Sequence, residues 1–347
     1  MTGYTGRDRI RAAFRREYAD RVPFYPMVGR CQAKYAGFTV RQFFTDAAAL
    51  SNATLAFYER FGPDLVGVAG DTTMEAEAFG NEVGFFEDAM PYVTKRLLED
   101  KGNLAKLEVP DPRRHGRLPI FLEACERVRS VVKDTSVGGI IGGPWGTASQ
   151  LRGLEQLLYD TVDDPDFVHQ LMKLTTEFAK RFGDAQRELG IGLCIGEPAG
   201  SCSVVSPHMF RTFILPYLQD IVAHFQQTGA AMTLHICGYV DPIMEDMVAS
   251  GAAAISIDSP SSLKRLIEVS QKKVVIIGNV PTLLFLEGTK EQMEAAVREC
   301  IDIAAAGSAY ILCSGCEVPQ DTPIEAIEYF KEAALNYGSY ESGQEID

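Results

Sequence analysis

The sequence predicts a single (β/α)8 barrel, on three observations. Eight short apolar runs of strand length recur along the 347 residues, and helical patterns separate them throughout the second half. No composition shift, linker, internal repeat or low-complexity stretch divides the chain, so repeated βα units close on one core; a doubly wound open sheet is the runner-up. The residues that follow the runs are markedly polar, as expected where a barrel keeps its chemistry at the C-terminal ends of its strands.

The elements follow in order. Arg7 to Tyr18 has the spacing of a basic amphipathic helix, and Val22 to Val28 that of a first strand closed by Gly29-Arg30. Residues 39–61 carry helical spacing, and Asp64 to Ala69 forms a second strand ending at Gly70-Asp71. Residues 73–98 alternate loosely, predicting a hairpin insertion after that strand. Leu118 to Val132 is helical, Val137 to Ile141 is a third strand, two helices fill 150–189, and Ile191 to Ile195 is a fourth strand. Ser206-Pro207 opens a helix running to about Thr228, with Ser as cap and Pro at the first helical position. Strands at 231–234, Ala254 to Ile257, Val274 to Ile277 and from Tyr310 then alternate with helices over 240–250, 261–271, 289–306 and 323–335. Residues 1–337 make the catalytic barrel and 338–347 a polar, frayed tail.

Composition narrows the function classes. A formal charge of −14 without a Lys/Arg block argues against a nucleic-acid groove, and no run is long enough to span a membrane. Residues 1–20 are charged rather than apolar, which does not match an export signal; eight cysteines then read as reduced thiols in a cytoplasmic protein. No phosphate-binding Gly-rich loop and no G-x-S-x-G elbow is present.

The chemistry concentrates at the strand ends. On a strand, residues i and i+2 share a face, so His235 and Cys237 stand side by side. Cys316, 79 residues later, ends another strand. Imidazole plus thiolates is the ligand set that selects zinc, against the plain alternative of a core histidine and buried thiols. Glu197, at a further strand end and followed by Pro, is the chosen fourth ligand, with a salt-bridged rim carboxylate as its alternative. Cys313 competes but is assigned to packing. Two thiolates make an electron-rich zinc that activates a bound thiol better than it makes hydroxide, which favours alkyl transfer to sulfur over hydrolysis. Glu197 and Asp71 are the candidate catalytic carboxylates, and Arg30, Asp258 and Asn279 the candidate substrate contacts. Asp71, Glu75 and Glu77 could form an acid/base cluster, although a solvated face is the commoner explanation of such a run.

Over nearly its whole length the chain resembles the uroporphyrinogen decarboxylase superfamily, and within it the methylcobamide-dependent methyltransferases. The resemblance lies in Asp20-Arg-Val-Pro23, Asp71-Thr-Thr-Met-Glu-Ala-Glu-Ala-Phe-Gly80, Gly143-Pro-Trp-Gly-Thr-Ala148, Ser206-Pro-His-Met-Phe210, Pro216-Tyr217, Leu234-His-Ile-Cys-Gly238 and Gly315-Cys-Glu-Val-Pro-Gln-Asp-Thr-Pro323. It implies a (β/α)8 barrel. Decarboxylases resemble the chain near Pro319 to Pro323 but carry Gly-His-Gly where Gly315-Cys316-Glu317 stands, and lack the His-x-Cys pair. The methyltransferase branch implies zinc on His235, Cys237 and Cys316, and methyl transfer from a methylated corrinoid (cobamide) protein to coenzyme M or, in demethylating systems, tetrahydrofolate. Glu197-Pro198 replaces the Asp-Pro expected of the coenzyme M enzymes. No corrinoid-binding Asp-x-His-x-x-Gly occurs, so the cobamide comes on a partner or free. A metal-free tetrapyrrole decarboxylase, to which Arg30 and Asp71 are partial matches, is the alternative, and a corrinoid or zinc chaperone a distant third.

Overall fold

The computed structural model describes residues 3–306 and 309–340. Eight parallel strands form one sheet: β1 (Phe24–Tyr25), β2 (Leu65–Gly67), β5 (Ser136–Gly142), β6 (Gly192–Gly196), β7 (Met232–Ile236), β8 (Ala254–Ile257), β9 (Val275–Val280) and β10 (Tyr310–Ser314), in the order β1-β10-β9-β8-β7-β6-β5-β2. Strands β3 (Glu82–Gly84) and β4 (Tyr92–Lys95) make the separate antiparallel hairpin expected after the second barrel strand. The sheet nearly closes into the predicted barrel. Each strand is short because a Gly, Pro or charged residue stops the apolar run. The helices pack outside, where Trp145, Phe178, Phe182, Phe225, Phe285 and Phe330 are fully buried between layers.

No ladder joins β1 to β2. Asp64 closes that seam instead: its N–H donates to the Phe24 carbonyl at 3.0 Å, and its carboxylate accepts the Phe24 N–H at 2.9 Å. The carboxylate is buried and also takes two bonds from Arg21 and one from Arg9. Arg21 of the Asp-Arg-Val-Pro stretch is thus spent on closing the barrel. Helix α1 (Gly6–Arg15) plugs the N-terminal end, with a Thr5–Asp8 capping box at its start.

Several local expectations are corrected. Residues 39–61 form two helices, Val40–Thr45 and Ala47–Phe61, because Asp46 leaves the helical region and caps the second through Ala48 and Ala49. Residues 74–79 are helical rather than part of the hairpin. The helix opened by Ser206 passes through a π turn at Phe210–Ile214; Pro216 brings no N–H to the ladder there, and the chain widens around the missing donor. The tail does not fray at Gly338. Val22 donates to the Gly338 carbonyl, Arg21 and Ser339 form an antiparallel bridge, and Tyr340 packs edge-on against Tyr18. Residues 341–347 of the expected tail lie outside the described residues. Among the described residues no helix is long and apolar enough to cross a membrane.

Candidate metal centre

Strand geometry converges three ligands at the C-terminal end of the barrel. His235 points inward from β7, and Cys237, two residues on, shares its face; His235 Nε2 lies 3.0 Å from Cys237 Sγ. Gly238 then adopts φ +70°, turning the chain away. From the end of β10, Cys316 brings its Sγ to 3.1 Å from that of Cys237. Gly315 permits the approach: a Cβ there would meet the Ser259 N at 2.6 Å. All three ligand atoms lie within 4.8 Å of one another, a spacing one metal ion can bridge.

The electrostatics suit a cation. At 3.1 Å the Cys237 and Cys316 sulfurs are placed to share one proton. Its hydrogen bond to the Cys316 sulfur, with help from His235, lowers the Cys316 pKa, while the resulting thiolate raises that of Cys237. Two thiolates side by side need a positive ion to replace the shared proton, and zinc prefers this N/S donor set. Ser256, paired in register with His235 on β8, places its Oγ 2.9 Å from His235 Nδ1. That contact leaves Nε2 free to coordinate. Ser256 was not singled out from sequence, although it is the polar residue of the apolar run Ala254–Ile257. Ser256→Ala is expected to weaken zinc affinity by about 10–100-fold without unfolding the chain, as a competitive chelator titration would show.

The other candidates do different work. Asp258 accepts the Gly238 N–H at 3.0 Å and the Ser259 N–H at 2.6 Å. Asn279 donates to the carbonyls of Asp258 and Ser261, while Ser261 Oγ bonds the Gly238 carbonyl. Together they brace the turn that presents Cys237. Both Arg30 N–H groups that bond Glu317, main-chain and Nε, reach its Oε1 at 3.1 Å, so Arg30 is clamped at the rim. Asp71 is buried in an ion pair with Arg117, at 2.5 Å, and also accepts from Thr73. Arg117 holds Glu77 as well. Glu75 is not on a solvated face: it is buried, accepts the Gly142 N–H, and burial raises its pKa to about 7. Cys313 is fully buried among the apolar residues inside the barrel.

Glu197 does not join the cluster. The inward positions of β6 include Gly192 and Cys194, so Glu197 falls on the opposite parity. Its carboxyl turns outward to the start of the helix Pro144–Arg152, where Oε2 accepts the Trp145 N–H at 3.0 Å. Among the described residues the candidate centre is therefore three donors, His235, Cys237 and Cys316, one short of a closed four-coordinate zinc site. Burial raises the Glu197 pKa to about 8. A raised carboxyl pKa keeps the folded state protonated where the unfolded chain has ionised. Its stabilising contribution is therefore complete below about pH 4.5 and is lost as pH rises through about 8. Glu197→Gln is expected to keep zinc and to flatten that decline, measured as urea midpoints across pH; loss of zinc would restore Glu197 as a ligand.

The uroporphyrinogen decarboxylase (URO-D) family pattern matches residues 5–337. The chain belongs to this family. Within it, the chain is 25% identical over 344 residues to the methylcobamide:CoM methyltransferase MtbA of Methanosarcina acetivorans, covering 97% of this chain and 99% of that one. It is 26% identical to MtaA of Methanosarcina barkeri at the same two coverages. It is also 29% identical to the uroporphyrinogen decarboxylase of Xylella fastidiosa, over 87% of this chain and 88% of that one. A methyltransferase from Methanosarcina mazei superposes with a TM-score of 0.86 at 26% identity, covering 96% of this chain and 99% of that one. Overall identity to the URO-D relatives does not separate the two activities. The chemistry of the cluster must.

Proposed function

We propose that this URO-D family protein is a zinc-dependent methyltransferase, with residues 1–337 as its catalytic barrel. It moves a methyl group from a methylated corrinoid, carried on a partner protein, to a thiol. The observation that carries the reading is the convergence of His235, Cys237 and Cys316 from two strand ends. The methyltransferase relatives support it, and coenzyme M is the acceptor their names give. Zn2+ held by these three residues would lower the pKa of a coordinated thiol, so that its sulfur is a nucleophile at neutral pH.

The chain's residues bind and orient. Ser256 holds the His235 ring, Asp258 and Asn279 hold the Gly238 turn, and Gly315 holds Cys316 close. The acceptor sulfur loses its proton to solvent and attacks the methyl carbon. The S–C bond forms as the C–Co bond breaks, and the electron pair of that bond stays on cobalt. Holding the two reactants in line supplies much of the acceleration. Soft sulfur around the metal favours a thiol acceptor over the nitrogen of tetrahydrofolate. The decarboxylase alternative is weaker here, because Asp71 is neutralised by Arg117 rather than free.

The test uses free methylcobalamin as donor and a thiol as acceptor, with the loss of the carbon–cobalt bond followed by visible absorbance. Zinc-loaded protein should turn over. Chelator-stripped protein should not, and zinc should restore it. Turnover that ignores metal content would sink the reading.

A further inference from the structure

The barrel interior below the cluster is open. Barrels of this kind normally fill their centre with layers of branched side chains from alternate strands. Here a cavity of about 340 Å³ runs from His235 and Glu317 at the upper end to Ile10 and Phe14 of α1 at the floor. That volume is in the range of small-molecule pockets. Its walls are mainly apolar, and among the described residues no lysine or arginine lines it.

Two glycines keep it open. Gly138 of β5 and Gly192 of β6 lie side by side in the ladder and line the cavity. Neither has the positive φ that demands glycine, and neither is crowded: a Cβ on Gly138 would meet nothing nearer than 3.6 Å, and one on Gly192 nothing nearer than 3.5 Å. Strand positions of this kind ordinarily carry β-branched residues. Backbone conformation and close packing do not account for the missing side chains; the space they leave does.

Building on the methyl-transfer reading, we infer that the acceptor is an uncharged thiol whose alkyl or aryl body occupies this lumen while its sulfur sits at the His235–Cys237–Cys316 cluster. The lumen reaches the cluster at His235, whose partners Cys237 and Cys316 have their sulfurs within 4.8 Å of the ring, so a thiol held there can extend its carbon chain down past His235. An anionic tail finds no cation inside. Glu317 is the acidic residue among those lining the cavity, and Arg30 donates to it. Apolar contact is what the walls supply.

Titration calorimetry on the zinc-loaded full chain, with ethanethiol, 1-butanethiol, 1-hexanethiol, phenylmethanethiol and coenzyme M, tests this. Affinity should rise by about fourfold per added methylene, the value of one buried CH2, until the lumen is full. Butanethiol should bind more tightly than coenzyme M. Gly138→Val and, separately, Gly192→Val should cut the hexanethiol-to-ethanethiol affinity ratio at least tenfold. An affinity flat with chain length, or coenzyme M binding more tightly than butanethiol, would overturn the inference and place the acceptor's tail at the rim beside Arg30. Either result leaves the metal reading intact if zinc is bound. A wild-type chain that takes up no zinc and binds no thiol would instead overturn the methyl-transfer reading, and the inference with it.

Discussion

Cys316→Ala is expected to strip zinc from the purified protein and to lower methyl transfer by more than about 100-fold, beyond the loss typical of disturbing a group that merely supports a ligand. The variant leaves His235 and Cys237 as an incomplete pair on one strand end. It also removes one of the two sulfur donors, and burial still raises the pKa of the Cys237 thiol that remains, so the pair left behind competes poorly for metal. Folding should survive, since Cys316 is only partly buried and lies beyond the end of β10. Cys202→Ala, on the loop after β6, is the matched control and should keep its zinc. Because metal must displace the proton shared by Cys237 and Cys316, zinc uptake by the wild type should release protons into weakly buffered solution. Full zinc content and full turnover in Cys316→Ala would remove the basis of the proposed activity.

The barrel was legible because each strand is an apolar run stopped by Gly, Pro or charge, and those stops survive tertiary packing. What failed was local. Asp46 sits within a continuous helical pattern, and only its role as a cap reveals the break. Glu75 and Glu77 looked like a solvated run, yet burial of the short helix Met74–Phe79 takes Glu75 out of water. At the site, period-2 alternation placed His235 and Cys237 correctly. The same alternation, carried one residue past Gly196, turns Glu197 away from the lumen, so its position outside the cluster was also readable. Arg117 was not. It comes from a loop 46 residues after Asp71, and nothing local marks it as the partner of that carboxylate.

Arg117→Ala is expected to destabilise the fold by about 3–5 kcal/mol, read as a fall in urea midpoint with an unchanged slope, while zinc content is retained. The guanidinium lies between Asp71 and Glu77, bonds the Phe44 carbonyl and Thr73, and packs over the Phe85 ring, 4.9 Å from its centroid. Removing it leaves the Asp71 carboxylate, whose side chain is 1% exposed, without its counter-charge. An isolated buried charge costs far more than the pair contributes, so the damage comes from the abandoned partner. The double variant Asp71→Asn/Arg117→Ala should therefore recover part of the loss, a coupling that separates this account from simple loss of packing. Asp71→Asn alone leaves Arg117 with Glu77 as a partner and should be milder. It should keep both zinc and thiol-dependent methyl transfer, because the carboxylate serves the fold after β2. If Asp71→Asn instead abolished turnover at full zinc content and full stability, Asp71 would have to be reinstated as a catalytic group.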